Sequence, residues 1–204
     1  MAKISFESLV PEILPEVPGC MDTLIIRALR QAAEQFLTDS TAWRVTLDPQ
    51  YVINGTDEYD IEVPYSYTRA VKLIWVEIDG HRVTPISDGQ RVRPDGKTYC
   101  YMDAFGKSII VAPTPTQKDL FAMRVALSIL PNTVALDDTV IWQMHDAILN
   151  GAVARLQMME GQEWSNPTAG AQKEMLFREA IMKAKRQADN NGGSANRTVR
   201  YGGI

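Results

Sequence analysis

The stretch DDTVIWQMHDAILNGAVARLQMMEGQEWSNPTAGAQKEMLFREAIMKAKRQA, residues 137–188, decides the fold. It reads as two amphipathic helices joined by the break GQEWSNP at residues 161–167. Asp137 and Asp138 supply N-cap chemistry for the first helix, because a short acidic side chain accepts from the orphan amides of the first turn. Gly161 suits a left-handed terminator. Asn166 and Pro167 restart the chain as N-cap and first helical residue, where the missing proline amide is not needed. In the first helix Val140, Ile141, Met144, Ile148, Leu149, Ala152, Leu156 and Met159 form an apolar stripe. Ala147, Gly151 and Ala154 are small enough for close helix approach. In the second helix Leu176, Phe177, Ala180, Ile181 and Ala184 make the stripe, with Lys173, Lys183, Lys185 and Arg186 in or beside the solvent face.

Upstream, LVPEILPEVPGC at residues 9–20 carries three prolines. That spacing predicts an extended, stiff segment rather than a continuous helix. Its apolar residues Leu9, Val10, Ile13, Leu14 and Val17 must pack on the body or on a neighbouring subunit. Asp22 then caps a core-facing helix with Leu24, Ile25, Ala28, Leu29, Ala32 and Phe36 at period 3.6. From Trp43 the period falls to two. Trp43, Val45 and Leu47, followed by Tyr59, Ile61 and Val63, read as a hairpin around Asn54-Gly55. Residues 70–78 pass through Asp79-Gly80 into a return strand over 81–86, which Pro85 confines to a sheet edge. Strands over 99–101, 108–112 and 121–129 follow, the last half-buried and antiparallel. The fold class is α+β. A helical bundle body over residues 1–42 and 131–189 carries an inserted antiparallel β lobe over 43–130 and an extended C-terminal tail over 190–204.

The 204 residues are 45% hydrophobic and 23% charged, ordinary values for a soluble globular protein. A net charge of -4 and a pI near 5.3 argue against a broad basic face that grips nucleic acid. Cys20 and Cys100 lack metal-ligand spacing and read as reduced thiols. The opening MAKISF has no apolar core of signal-peptide length, and no run is long enough to span a bilayer, so a cytoplasmic protein without a membrane partner is expected. No nucleophile elbow, phosphate-binding glycine loop, HExxH or EF-hand spacing occurs, so neither catalysis, cofactor nor metal is expected. His81 falls in a hairpin. His145 neighbours Asp146, but adjacent helical residues point about 100° apart, which predicts a packing or surface residue and no catalytic pair.

Asp48, Asp57, Glu58, Asp60 and Glu62 form an acidic cluster. It is either a solvated edge that discourages strand-to-strand pairing or a surface turned toward a passing polyanion. Trp142 and Trp164 read as core or interface anchors. In the tail, Val199, Tyr201 and Ile204 are apolar anchors and Arg197 and Arg200 are bidentate donors. That composition fits a segment that orders on a partner, or a frayed terminus.

Taken together, LVPEILPEVPGC, the helix through Leu24 and Phe36, Trp43, the helix from Trp142 to Leu156 and the GQEWSNP break resemble the head-to-tail adaptor (connector) proteins of tailed bacteriophages, especially short-tailed ones. The resemblance implies a structural virion protein of the neck, assembled in the host cytoplasm. Such a protein forms a ring with itself, usually of twelve copies, beneath the portal protein. It provides the docking platform for the tail or nozzle protein and part of the channel for double-stranded DNA. On this resemblance, portal contacts fall on Lys183, Arg186, Arg197, Val199, Arg200, Tyr201 and Ile204. Contacts between subunits fall on Trp164, Leu9, Ile13 and Leu14, Asp57, Glu58, Asp60 and Glu62 face the channel, and the β lobe faces the tail. Rival readings are another neck or tail-completion ring protein, a small enzyme around His81 or His145, and a nucleic-acid-binding module using Arg82, Arg91, Arg93 and Lys97.

Overall fold

Residues 6–16 fold as three successive helical turns, which corrects the extended segment expected from their prolines. The computed structural model describes residues 2–86, 98–116 and 118–190. A short strand, β1 (Lys3–Ser5), leads into a 3-10 turn over Phe6–Leu9, helix α1 (Val10–Ile13) and a second 3-10 turn over Leu14–Glu16. Pro11 and Pro15 each stand in the first positions of a new turn. There a missing amide leaves no bond unmade. The turns direct Phe6, Leu9, Val10, Ile13 and Val17 into the interior. Helix α2 (Asp22–Ser40) follows, with Met21 rather than Asp22 at the cap position and no side-chain capping bond.

The strands are β2 (Arg44–Thr46), β3 (Gln50–Tyr51), β4 (Glu58–Asp60), β5 (Thr68–Ile78), β6 (His81–Pro85), β7 (Tyr99–Met102), β8 (Ser108–Ala112) and β9 (Leu120–Ile129). The hairpin expected around Asn54-Gly55 does not form. β2 and β3 both pair with β9, while β4 pairs with β8. Gly55 does turn the chain at φ 81°, but the strands on either side find distant partners with more surface to bury. β5 and β6 make the expected hairpin, and Asp79 and Gly80 take φ 49° and 74°, the pair of positive angles that a type I′ turn requires. Pro85 is not at an edge. β6 continues into a parallel pairing with β7, Pro85 opposite Cys100, and the amide of Ile86 supplies the bond to the Cys100 carbonyl that proline cannot. The β region is therefore mixed, with the order β2-β9-β5-β6-β7-β8-β4 and β3 also on β9.

β9 is antiparallel, as expected, but its last residues Ala126, Leu127, Ser128 and Ile129 are fully buried on both faces. α2 covers the second face. Thr38 Oγ1 donates to Ser128 Oγ at 2.9 Å, and Ser128 Oγ donates to the Glu34 carbonyl at 3.2 Å. β10 (Ala135–Asp137) then pairs with β1 and runs directly into α3 (Asp138–Gln157), before α4 (Pro167–Asp189). Asp137 holds the cap position of α3 without making a capping bond. Its carboxylate lies 3.4 Å from the Tyr67 hydroxyl, and burial together with that charge pushes the Tyr67 pKa up to about 12. Asn166 caps α4 as expected, accepting from the Ala169 amide at 3.2 Å. Gly161 takes φ 74° but lies in the linker, after α3 has ended.

Two apolar clusters result. One joins the N-terminal turns, α2, α3 and α4 with Ile129 and Leu136; the other lies on the sheet, and Trp43 packs against both. α3 runs between α2 and α4, close to each. A Cβ built at Gly151 would lie 2.8 Å from the Phe177 ring and 3.1 Å from the Ala32 methyl. On α4 the buried positions are Gly170, Phe177 and Ile181, whereas Leu176, expected in the same stripe, is 46% exposed. Phe177 sets the inward direction, and its neighbour one residue back points outward.

Alanine exceeds glycine in helix propensity by about 1 kcal/mol. Gly151→Ala is nevertheless expected to lower stability by about 1–2 kcal/mol, because the new methyl group must displace Phe177 or Ala32. The urea unfolding midpoint checks this, and a midpoint at or above that of the parent protein contradicts it.

Candidate docking surfaces

The outer face of α4 carries apolar side chains that the interior does not use. Met175, Leu176 and Met182 are 58%, 46% and 53% exposed. Met175 and Met182 are two helical turns apart and so fall on one line. Lys183 and Arg186 are exposed beside them. Lys173, by contrast, is held by Glu16 at 2.7 Å. The result is an adaptable thioether surface with a cationic end. Arg197, Val199, Arg200, Tyr201 and Ile204, and also Arg91, Arg93 and Lys97, lie outside the described residues.

The residues expected between subunits divide. Leu9 and Ile13 are 4% and 0% exposed within this chain. They have no surface left for a neighbour, because the helical turns point them inward. Leu14 and Trp164 are only partly buried against the helical core. The Trp164 indole Nε1 is itself buried without a partner among the described residues.

The acidic residues sit on and around the edge strand. Asp57, Glu58, Asp60 and Glu62 are exposed along β4 and its flanks, and Glu58 accepts from Ser108 Oγ at 2.6 Å. Charge on an edge strand opposes the addition of a further strand. A separate apolar patch, not read from the sequence, is formed by Tyr51, Ile53 and Leu120, with Tyr51 opposite Leu120 in the ladder and the Lys118 ammonium 4.4 Å from the Tyr51 ring centre.

His145 does pair with its neighbour, contrary to the argument from helical angle. Its Nδ1 lies 3.1 Å from Asp146 Oδ1 and its Nε2 3.2 Å from Glu12 Oε1, while Trp142, 65% exposed, stacks at 5.2 Å. Burial opposes the imidazolium, but the two carboxylates outweigh it and raise the pKa. The cluster ties α1 to α3. Among the described residues, no group of three or more His, Cys, Asp or Glu is placed to hold a metal ion. Nor is any helix there long and apolar enough to cross a membrane. Cys20 and Cys100 are free thiols, both buried, and burial pushes the Cys100 pKa up to about 12.

Arg44 fixes the end of α4, a role that its place in an alternating strand does not announce. Its side chain is 8% exposed. Nε donates to the Thr41 carbonyl at 2.9 Å, Nη1 to the Ala188 carbonyl at 2.8 Å and Nη2 to Asp189 Oδ1 at 2.5 Å. The hydrogen bond from Arg44 holds the Asp189 carboxyl below the usual carboxylate range.

Residues 8–200 match the profile of the protein family described as SU10 adaptor protein. No curated protein matches the chain.

Arg44→Met removes three donors from the end of α4 and is expected to cost about 1–2 kcal/mol, the half-exposed Asp189 limiting the loss. Because the folded pKa of Asp189 is depressed, its share is present above the unfolded carboxylate value and disappears as pH falls through the folded one. The difference between parent and variant should therefore be full at pH 7 and shrink below about pH 4. Chemical denaturation at the two pH values measures it, and hydrogen exchange should quicken in the last turn of α4.

Proposed function

The chain belongs to the SU10 adaptor protein family, a family of phage head-tail adaptors, and on that premise we propose that its copies close into a ring, twelve being the usual number, between portal and tail. The ring lies in the virion neck, assembles in the host cytoplasm and surrounds the path of double-stranded DNA. Lys183 and Arg186 dock on the portal together with Arg197, Val199, Arg200, Tyr201 and Ile204. The sheet faces the tail or nozzle protein.

The observation that carries this reading is the outer face of α4. Fully burying a Met or Leu contributes roughly 1.5–3 kcal/mol, and each of these, about half exposed, gains roughly half of that before ordering costs are subtracted. Three such side chains in one patch supply the centre of an interface, and the cations beside them supply its rim. A patch that meets a different patch on the next copy generates a closed ring when the rotation closes. Trp164 and Leu14 add apolar surface for the same purpose. The acidic edge at Asp57, Glu58, Asp60 and Glu62 offers DNA phosphates nothing to grip.

Reversing both charges, Lys183→Glu with Arg186→Glu, should weaken binding to portal rings by about tenfold, the worth of two rim ion pairs. Both residues are exposed, so the thermal midpoint should hold. Removal of residues 191–204 should abolish attachment while the remaining chain keeps its circular dichroism spectrum. Electron microscopy of the portal mixed with each protein reads the added layer, and full-affinity binding by the shortened chain overturns the portal role of the tail. Trp164→Ala should impair ring assembly, read by mass photometry, more than it lowers the melting temperature.

A further inference from the structure

Two adjoining cavities, about 450 and 240 Å³, make one groove between the first half of α3 and the last turns of α4. They share Phe36, Gln143, Met144, Ala184 and Gln187. Phe36 and Met144 lie beneath it, 4% and 3% exposed, and the apolar surface it offers belongs to the half-buried Trp43, Val140 and Ala184. Gln143 and Gln187 stand on facing helices, each with a side-chain amide that both donates and accepts. Trp142 and Asp146 line one end of the groove, and Ala42, Trp43 and Ala188 line the other. An apolar floor between two amides fits an extended peptide, which lays side chains down and turns its backbone to the walls.

The chain brings such a peptide to the mouth of the groove. Ala188 lines the groove, and Arg44 pins it and Asp189 in place. The fourteen residues that follow Asn190 span about 46 Å when extended. Ala180 and Ala188, which mark the two ends of the groove on α4, lie only about 12 Å apart along the helix axis. Gly192 and Gly193 permit a reversal of direction. Val199 and Tyr201, two residues apart, share one face of an extended segment. Arg197 and Arg200 are opposite in charge to Asp146, whose side chain is 96% exposed, and to Glu12, at 46%. Lys183, on the α4 wall, favours placing the arginines toward the α3 side.

We propose that this groove binds the chain's own residues 197–204, folded back antiparallel to α4, with Val199 and Tyr201 against the half-buried Trp43, Val140 and Ala184, above Met144. A short tether holds the segment at an effective concentration in the millimolar range, so weak contacts suffice to populate the docked state. Docking covers the apolar floor in the free protein and sequesters the segment until a tighter partner competes for it. This assignment concerns the isolated chain and stands apart from the adaptor reading.

The test uses the full chain with Gly203→Cys carrying a nitroxide; Cys20 and Cys100, 5% and 0% exposed, stay unlabelled. Methionine methyl resonances are then recorded. The Met144 signal should be lost, while Met123 in the sheet core is retained. Tyr201→Asp in the same protein should restore Met144. A retained Met144 signal, or equal loss at Met123, overturns the proposal. Mixing spin-labelled chains with separately isotope-labelled chains decides whose segment is bound. Loss of Met144 in that mixture assigns the groove to a neighbouring copy's segment and overturns docking within one chain.

Discussion

Phe177 lies over Gly151 with its ring where any larger residue would place its side chain, and the relative positions of three helices follow from that contact. The ring is fully buried, 6.5 Å from the Phe36 ring and 5.3 Å from the Arg155 guanidinium. Arg155 in turn donates to the Gln35 side chain and to the Gly151 carbonyl, so its charge is satisfied by α2 and α3 where it packs against α4. Burial lowers the Arg155 pKa, but guanidinium chemistry leaves it charged. A side chain on each helix thus refers to the other two. The outward direction of Met175, Met182 and Lys183 is fixed by the inward direction of Phe177.

The two apolar clusters are not independent. β9 belongs to the sheet through Val125 and to the helical core through Ile129. Its Ser128 hydroxyl is the polar link to α2 inside a fully buried segment. Such a group is tolerated there only because it both donates and accepts. Arg69 and Glu34, 3.1 Å apart, repeat the connection at the surface.

The helical hairpin was legible because its signals are local: an N-cap followed by proline, and a stripe at period 3.6. The N-terminal turns were not, since three closely spaced prolines argue against a long helix but say nothing against three short ones. Asn54-Gly55 marks a turn correctly, yet a turn cannot specify that β2 will choose β9 and β4 will choose β8. Pairings over such separations are decided by which surfaces remain to be buried. Lys183 and Arg186 were legible as solvent-facing from helical spacing. Nothing in the spacing marks Met175 and Met182 as exposed, and Leu176 falls in the inward stripe, because an apolar residue on a helix carries no local sign that it faces solvent. Arg44 had no signal at all for its hold on α4, the Ala188 carbonyl lying 144 residues away.

The Arg44 clamp also settles how the molecule bears tension. A helix pulled from its end alone unravels turn by turn, since each hydrogen bond is loaded in sequence. Here the Ala188 carbonyl and the Asp189 carboxylate, at the end of α4, are fastened to the first residue of β2, which is laced antiparallel to β9. A pull on the chain beyond Asn190 is therefore divided between the helix and the sheet. The several ladder bonds of β2 resist together, as a seam does under shear, and the exit point of the chain is reinforced where a bare helix terminus would fray.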